Sequence, residues 1–277
     1  MPTLDDARHF KVLVIGDAIY DRYRFCEVLG RGTKDDVISA RLEREETYRG
    51  GVWASAAHIE DLCAVVDIWH GQHALVNTKY VGAYSQKVFS VHEEKPLDDY
   101  VLDYDIASYD VVIVFDYGHG FLTLPLRERI MKEARFLAVN AQSNSSNYGF
   151  NRVNEKWPQA HFCVVDGLEA RLAAHEPDAP IEDVILKLPY SSIIVTLGAQ
   201  GAVGYANREF YREGAQTEQP LDLLGAGDAV LAVTAPFAKA GWSIKDLVHL
   251  GNIAGGIKVS ILGHQKHITK AELEAHL

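Results

Sequence analysis

The chain has 277 residues, 48% of them hydrophobic, enough for a sizeable core and too many for a disordered polypeptide. Its 27 basic and 38 acidic residues leave a formal charge of −11 with no run of Lys or Arg to oppose it, so nucleic acid is not an expected partner. Cys26, Cys63 and Cys163 are scattered and form no C-x-x-C pair, which argues against a disulfide framework and a zinc ribbon. The opening MPTLDDARHF lacks the basic and apolar regions of a signal peptide, and no apolar run is long enough to span a membrane; a cytoplasmic protein is expected.

KVLVIG, ending at Gly16, reads as a buried parallel strand. Residues 24–49 are more polar, and VISARLEREETYR alternates as a half-exposed strand does. GGVWASAAHIEDL reads as a helix entered through Gly50 and Gly51, and AVVDIW as another short strand. ALVNTKYVGAYSQKVFSVHEE alternates over a long span, the pattern of antiparallel strands or a hairpin. Its stripe of Tyr80, Tyr84, Phe89 and Val91 is expected to pack in the core or in a dimer contact.

From Tyr109 onward the pattern is regular. DVVIVFD, RFLAVN, HFCVVD and SSIIVTLG read as strands, and LPLRERIMKEA, with Pro125 in its first turn, GLEARLAAHE and IEDVILKL as helices. A hairpin-like GAVGYANREFYRE, the segment LDLLGAGDAV and two C-terminal helices follow. This alternation predicts a doubly wound, mainly parallel sheet with helices on both faces. With no Pro/Gly/Ser linker, the chain reads as one α/β domain over 1–277, carrying a small β excursion at about 18–48 and 76–95.

The chemistry concentrates in LDLLGAGDAV. Gly225 and Gly227 permit close backbone approach, and AGDAVLAVTAPFAKAG has helical spacing up to Gly241, with Pro236 expected to kink or tighten its end. Unpaired N–H groups at that helix start, from Leu224 to Gly227, suit a phosphate, and Asp228 beside them can take the proton of an attacking hydroxyl. A tight turn with an acidic first helical turn is the plainer reading, and no Walker A motif is present. Asp17 and Asp21 follow the first strand, where carboxylates can hold sugar hydroxyls, and Asp116 and His119 end a later one. Glu169, three residues after Asp166, is placed to hold Mg²⁺ through water or to close a capping box with Asp166. HGQH (70–73) and HQKH (264–267) lack a metal-site acid or cysteine pair and read as surface loops.

These segments resemble the ribokinase/PfkB carbohydrate kinases, and within them the heptose-7-phosphate kinase branch. DLLGAGDAV is similar to the family's D-T-x-G-A-G-D, GDAIYDRY to a sugar-contacting G-D-x-x-x-D-R-Y, and VVDGLEARL to an N-x-x-E linked to magnesium and phosphate. YRGGVWASAAH, IIVTLGAQGAVGY and NIAGGIKVSILG fall in the family's order. The resemblance implies a kinase using ATP and Mg²⁺, a ribokinase-like fold, and a β-lid that covers the sugar and forms a homodimer. It implies Asp228 as base with Gly225, Ala226 and Gly227 as anion hole. Asp17, Asp21, Gly50, Gly51, Lys79, Gln86 and Asp116 would bind a sugar or sugar phosphate. Asp166, Glu169, Thr196, Gly198, Gly201, Asp222 and Asn252 would serve the nucleotide, with Glu169 holding Mg²⁺ through water. There are departures. Leu223, Ala54 and Asp166 replace the family's Thr, sugar-binding Asn and Asn, the region of Asn140 replaces D-P-K, and one βα unit is missing after AVVDIW. They keep open a fold member that has lost turnover and serves as a binding or assembly module, or a sugar- or nucleotide-sensing regulator.

Overall fold

Two sheets organise the computed structural model, which describes residues 2–71, 73–83, 86–93, 102–145, 147–216 and 220–277. The larger contains β1 (Lys11–Gly16), β4 (Val65–Trp69), β7 (Val111–Asp116), β8 (Leu137–Ala141), β9 (Phe162–Asp166), β10 (Ser192–Thr196), β11 (Ala202–Ala206) and β12 (Glu209–Glu213). The order is β12-β11-β10-β9-β8-β7-β1-β4, with β11 and β12 antiparallel and the rest parallel. The smaller sheet contains β2 (Ala18–Arg31), β3 (Ile38–Gly51), β5 (Leu75–Val81) and β6 (Lys87–Glu93), in the order β3-β2-β5-β6.

Successive side chains of a strand point to opposite faces, and here both faces are covered. Val12, Val14, Ile113 and Phe115 enter one core with α1 (Val52–Ala57), α6 (Ala226–Lys239), α7 (Ile244–Val259) and α8 (Lys270–Glu274). Leu13, Ile15, Val112 and Val114 enter the other with α2 (Leu124–Glu133), α3 (Val153–Lys156), α4 (Gly167–Ala174) and α5 (Ile181–Leu186). The doubly wound sheet and its separate four-strand lid agree with the expectation from sequence.

Two local readings change. The helix expected over GGVWASAAHIEDL ends at Ala57, because His58, Ile59 and Leu62 close tighter i−3 backbone bonds and the buried His58 ring accepts from the Ile268 N–H. As expected, two helices, α7 and α8, follow the helix of the glycine turn, and α6 runs through Pro236 to Lys239. The aromatic stripe is not core: Phe89 and Val91 are exposed on β6, with Tyr80 stacked on Phe89, while Tyr84 lies outside the described residues.

The lid grows directly out of the sheet. β2 follows β1 after Asp17 alone, and β3 returns to α1 with the Val52 N–H bonded to the Asp17 carbonyl at 3.0 Å. Only residues 70–74 separate the sheet edge at β4 from the lid strand β5.

Candidate active site

Gly225 caps α6 in the left-handed conformation, φ 73°, which disfavours any side chain there. The Leu224 N–H is taken by Asp222 Oδ1 (3.1 Å) and the Ala226 N–H by the Leu223 carbonyl (3.4 Å). The N–H groups of Gly225, Gly227 and Asp228 have no acceptor among the described residues. The donors open to an anion are therefore these three, a set shifted from the expected Leu224–Gly227.

Asp228 is buried in the first turn of α6. Its Oδ1 accepts from Asn140 Nδ2 (3.0 Å) and Gln142 Nε2 (2.8 Å), and its Oδ2 from the Tyr117 hydroxyl (3.3 Å). Burial pushes its carboxyl up from the usual range, against the lowering effect of Asn140, His264, Tyr117 and Gln142. Two donors fill the lone pairs of Oδ1, whereas Oδ2 keeps one, so Oδ2 is the atom able to receive a further proton.

This carboxylate lines a cavity of about 140 Å³ between lid and sheet. The lid supplies Ile19, Asp21, Asn77, His92 and Glu93, and the body supplies Tyr117, Gln142, Gly225 and His264. Asp21 is ion-paired with Lys79 and lies 3.3 Å from His264 Nε2. Burial raises the Asp21 carboxyl, but His264 and Lys79 outweigh it and the net shift is downward. Gly50 is required here, because a Cβ on it would occupy the position of Asp21 Oδ2, and a Cβ on Gly51 would strike the Asp17 carbonyl.

Other residues singled out in the sequence stand apart from this cavity. Asp17 is buried below it, its carboxyl pushed up to about 7 by burial and by Asp116, against Lys156. Asp116 is occupied as a structural acceptor, bonded by the Trp157 indole N–H (2.9 Å) and the Gly118 N–H (3.0 Å). Gln86 sits on the exposed β5–β6 turn, its carbonyl accepting from the Gly82 N–H. Asp222 binds lid to body: it accepts from Lys87 (2.7 Å), the Tyr23 hydroxyl (3.2 Å) and the N–H groups of Leu224 and Gly263.

Towards the far end of the sheet, Thr196 ends β10, and Gly198 and Gly201 follow in left-handed turns. A Cβ on Gly201 would overlap the Glu213 carbonyl. Asn252 of α7 donates to the carbonyls of Glu213 (3.4 Å) and Gly214 (3.3 Å). A larger hollow, about 350 Å³, lies one helical turn further along, lined by Ile253, Gly256 and Ser260, away from Asp228. Asp166 and Glu169 do form the capping box, and Glu169 is pushed up to about 8 by burial and by Asp166.

Sequence reasoning missed His264 and Lys258. The HQKH reading as a surface loop holds for the exposed His267 but not for His264, whose side chain is only 9% exposed. Lys258 is fully buried beside Gly225.

The chain matches the pfkB family of carbohydrate kinases over residues 89–271. It belongs to that family. Solved structures agree on the fold. Ribokinase from Arabidopsis thaliana, determined with ribose and ATP, superposes with a TM-score of 0.74 at 16% identity, covering 96% of this chain and 98% of that one. Ribokinase from Thermotoga maritima gives 0.75 at 14% identity, over 96% and 99%. The D-beta-D-heptose 7-phosphate kinase of Bordetella bronchiseptica is 26% identical over 95% of each chain. The bifunctional protein HldE of Desulfatibacillum aliphaticivorans is 26% identical over 96% of this chain, which spans 63% of that relative's length. That alignment runs over 314 positions, more than the 277 residues here, so the relative has segments within the matched span that this pfkB-family chain lacks.

Proposed function

We propose that the protein transfers the γ-phosphoryl group of ATP to a hydroxyl of a sugar or sugar phosphate, with a heptose-phosphate-like acceptor preferred. The observation that carries this reading is the buried Asp228 carboxylate, held by three donors at the open start of α6, where it faces a lid-covered cavity. The acceptor lies in that cavity, oriented by Asp21 from the lid, and Asp228 Oδ2 receives its hydroxyl proton. The N–H groups of Gly225, Gly227 and Asp228 stabilise the charge of the group in transfer. The nucleotide extends past Thr196, Gly198 and Gly201 toward Asn252.

Glu169, beside Asp166, is the carboxylate that would face a hydrated Mg²⁺. Burial and Asp166 push the Glu169 carboxyl up, which a nearby cation would offset, and both of its oxygens already accept from the N–H groups of Ser143 and Asp166, so its contact with a hydrated ion would run through water. When bound, such an ion supplies neutralisation of the phosphate charge. The exposed lid residues Val28, Leu42, Phe89 and Val91 supply the homodimer contact in this reading.

An uncharged sugar as acceptor is a second reading, favoured by one observation: among the described residues no Lys or Arg lines the cavity. Calorimetry with MgATP, followed by an ADP-release screen of heptose 7-phosphate, other sugar phosphates, free hexoses and nucleosides, tests both. The proposal expects nucleotide binding and fastest release with heptose 7-phosphate. Fastest release with a free sugar selects the second reading, and no binding at millimolar MgATP contradicts both.

A further inference from the structure

Among the described residues two lysines are buried, and they are treated differently. Lys79 lies in contact with the Asp21 carboxylate. Lys258, 0% exposed, donates to the Gly263 carbonyl oxygen at 2.8 Å, and no carboxylate lies within ion-pair distance of it among the described residues. The nearby acids are already engaged. Asp222 accepts from four donors, Asp228 from three, and Asp21 from Lys79 and His264. A buried charge without a partner is costly, and burial does lower the Lys258 ammonium from its ordinary range, against Asp222, Asp228 and Asp21 and with Lys87 adding to the lowering.

The position of this charge gives it meaning. Lys258 Cε lies 3.4 Å from where a Cβ on Gly225 would be, directly against the left-handed residue that opens α6. In the same turn, the N–H groups of Gly225, Gly227 and Asp228 have no acceptor among the described residues. Donors without an acceptor and a cation without a carboxylate partner thus meet at one turn. His264 packs against the same glycine, and His58 lies close enough for Lys258 to depress its protonation.

We propose that Lys258 is the fixed counter-charge of the Gly225–Asp228 turn: a positioning residue whose buried ammonium is completed electrostatically when a phosphate group binds to that turn. The inference rests on the reading of that turn as the phosphate site. The Gly263 carbonyl holds the ammonium in place, and the low local dielectric lets its charge act through the turn without direct contact.

Calorimetry on the full chain, with MgATP and with inorganic pyrophosphate as separate probes, tests this in sodium, potassium and ammonium chloride. Wild-type affinity is expected to be the same in the three salts. Lys258→Met, which keeps the volume and removes the charge, should bind both probes about tenfold or more weakly in every salt. Lys258→Ala should show the same loss in sodium and recover in ammonium, whose ion fits the vacated space. A Lys258→Met variant that binds as wild type overturns the proposal, as does a Lys258→Ala loss that no cation restores. Pyrophosphate separates the two readings: wild-type binding of pyrophosphate without MgATP ends the nucleotide reading and leaves this one to the Met variant. Should the variants not fold, ¹³C-lysine NMR of the wild type decides. Saturating pyrophosphate should move the Lys258 titration to higher pH, and an unmoved titration overturns the proposal.

Discussion

β7 of the large sheet buries all six of its residues, whereas β6 of the lid exposes all seven. The same chain therefore holds its two sheets by different means. The large sheet is closed on both faces by helices and apolar side chains. The lid meets the body through a small cluster of Tyr23, Phe25 and Val81 against Leu224 and Leu262, and through carboxylates. Asp222 and Asp21 make those links, and both reach the turn or the cavity where chemistry is proposed. Rigidity is built from burial in one region, and attachment of the lid is built from titratable groups in the other.

Disturbing the large sheet should give the largest effect. Phe162 is fully buried in β9, and Phe162→Ala should lower unfolding free energy by about 3–5 kcal/mol in urea titration. A loss well under ~1 kcal/mol would remove the sheet as the rigid half of the comparison.

Asp222→Ala should cost less, about 1–3 kcal/mol, because it strands the Tyr23 hydroxyl and the Gly263 N–H, while Lys87 is largely solvated. The damage should be local, with faster amide exchange in β2 and β6 and little change in β7. Burial alone would raise the Asp222 carboxyl, but Lys87 and the two backbone donors make the net shift downward. A depressed carboxyl adds stability above its unfolded value that is lost as pH falls through the folded one. Lid exchange in the wild type should therefore quicken as pH drops below about 4, and uniform exchange across both sheets would erase the distinction.

Asp17, at the junction of β1 and β2, should give an effect of opposite sign. Burial and Asp116 raise it to about 7. Its contribution is full below the unfolded value and is lost as pH rises through the folded one. Asp17→Asn should thus gain on the wild type by about 4 kcal/mol as pH rises from 4 to 7, then level off. A difference in unfolding free energy that does not vary with pH would contradict this.

The buried parallel strands were legible because burial on both faces writes them as continuous apolar runs, and the lid through its alternation of polar and apolar residues, even though β6 exposes both of its faces. LLGAGD was legible as a helix entrance because glycine is needed for the left-handed residue at 225. Four-residue α3 carries too few positions for a period. His264 sits in a polar loop, and its contacts with Asp21 and Gly225 are purely tertiary, so local sequence gives no sign of them. Lys258 did leave a trace: with Leu247, Gly251 and Ala254 it continues the buried stripe of α7, a lysine where the spacing calls for an apolar residue. Asp116 shows the converse, since the end of a strand marks it as a ligand group while Trp157 and Gly118 claim it for the fold.

Asp228→Asn tests the central claim most directly. Asn keeps the shape and an acceptor for Asn140 or Gln142 but takes no proton at neutral pH. With the best acceptor from the screen, ADP release should fall by about 10²–10⁴-fold, with MgATP affinity and melting temperature close to wild type. Turnover near the wild-type rate would show that Asp228 is not the base and that its three donors hold a structural carboxylate.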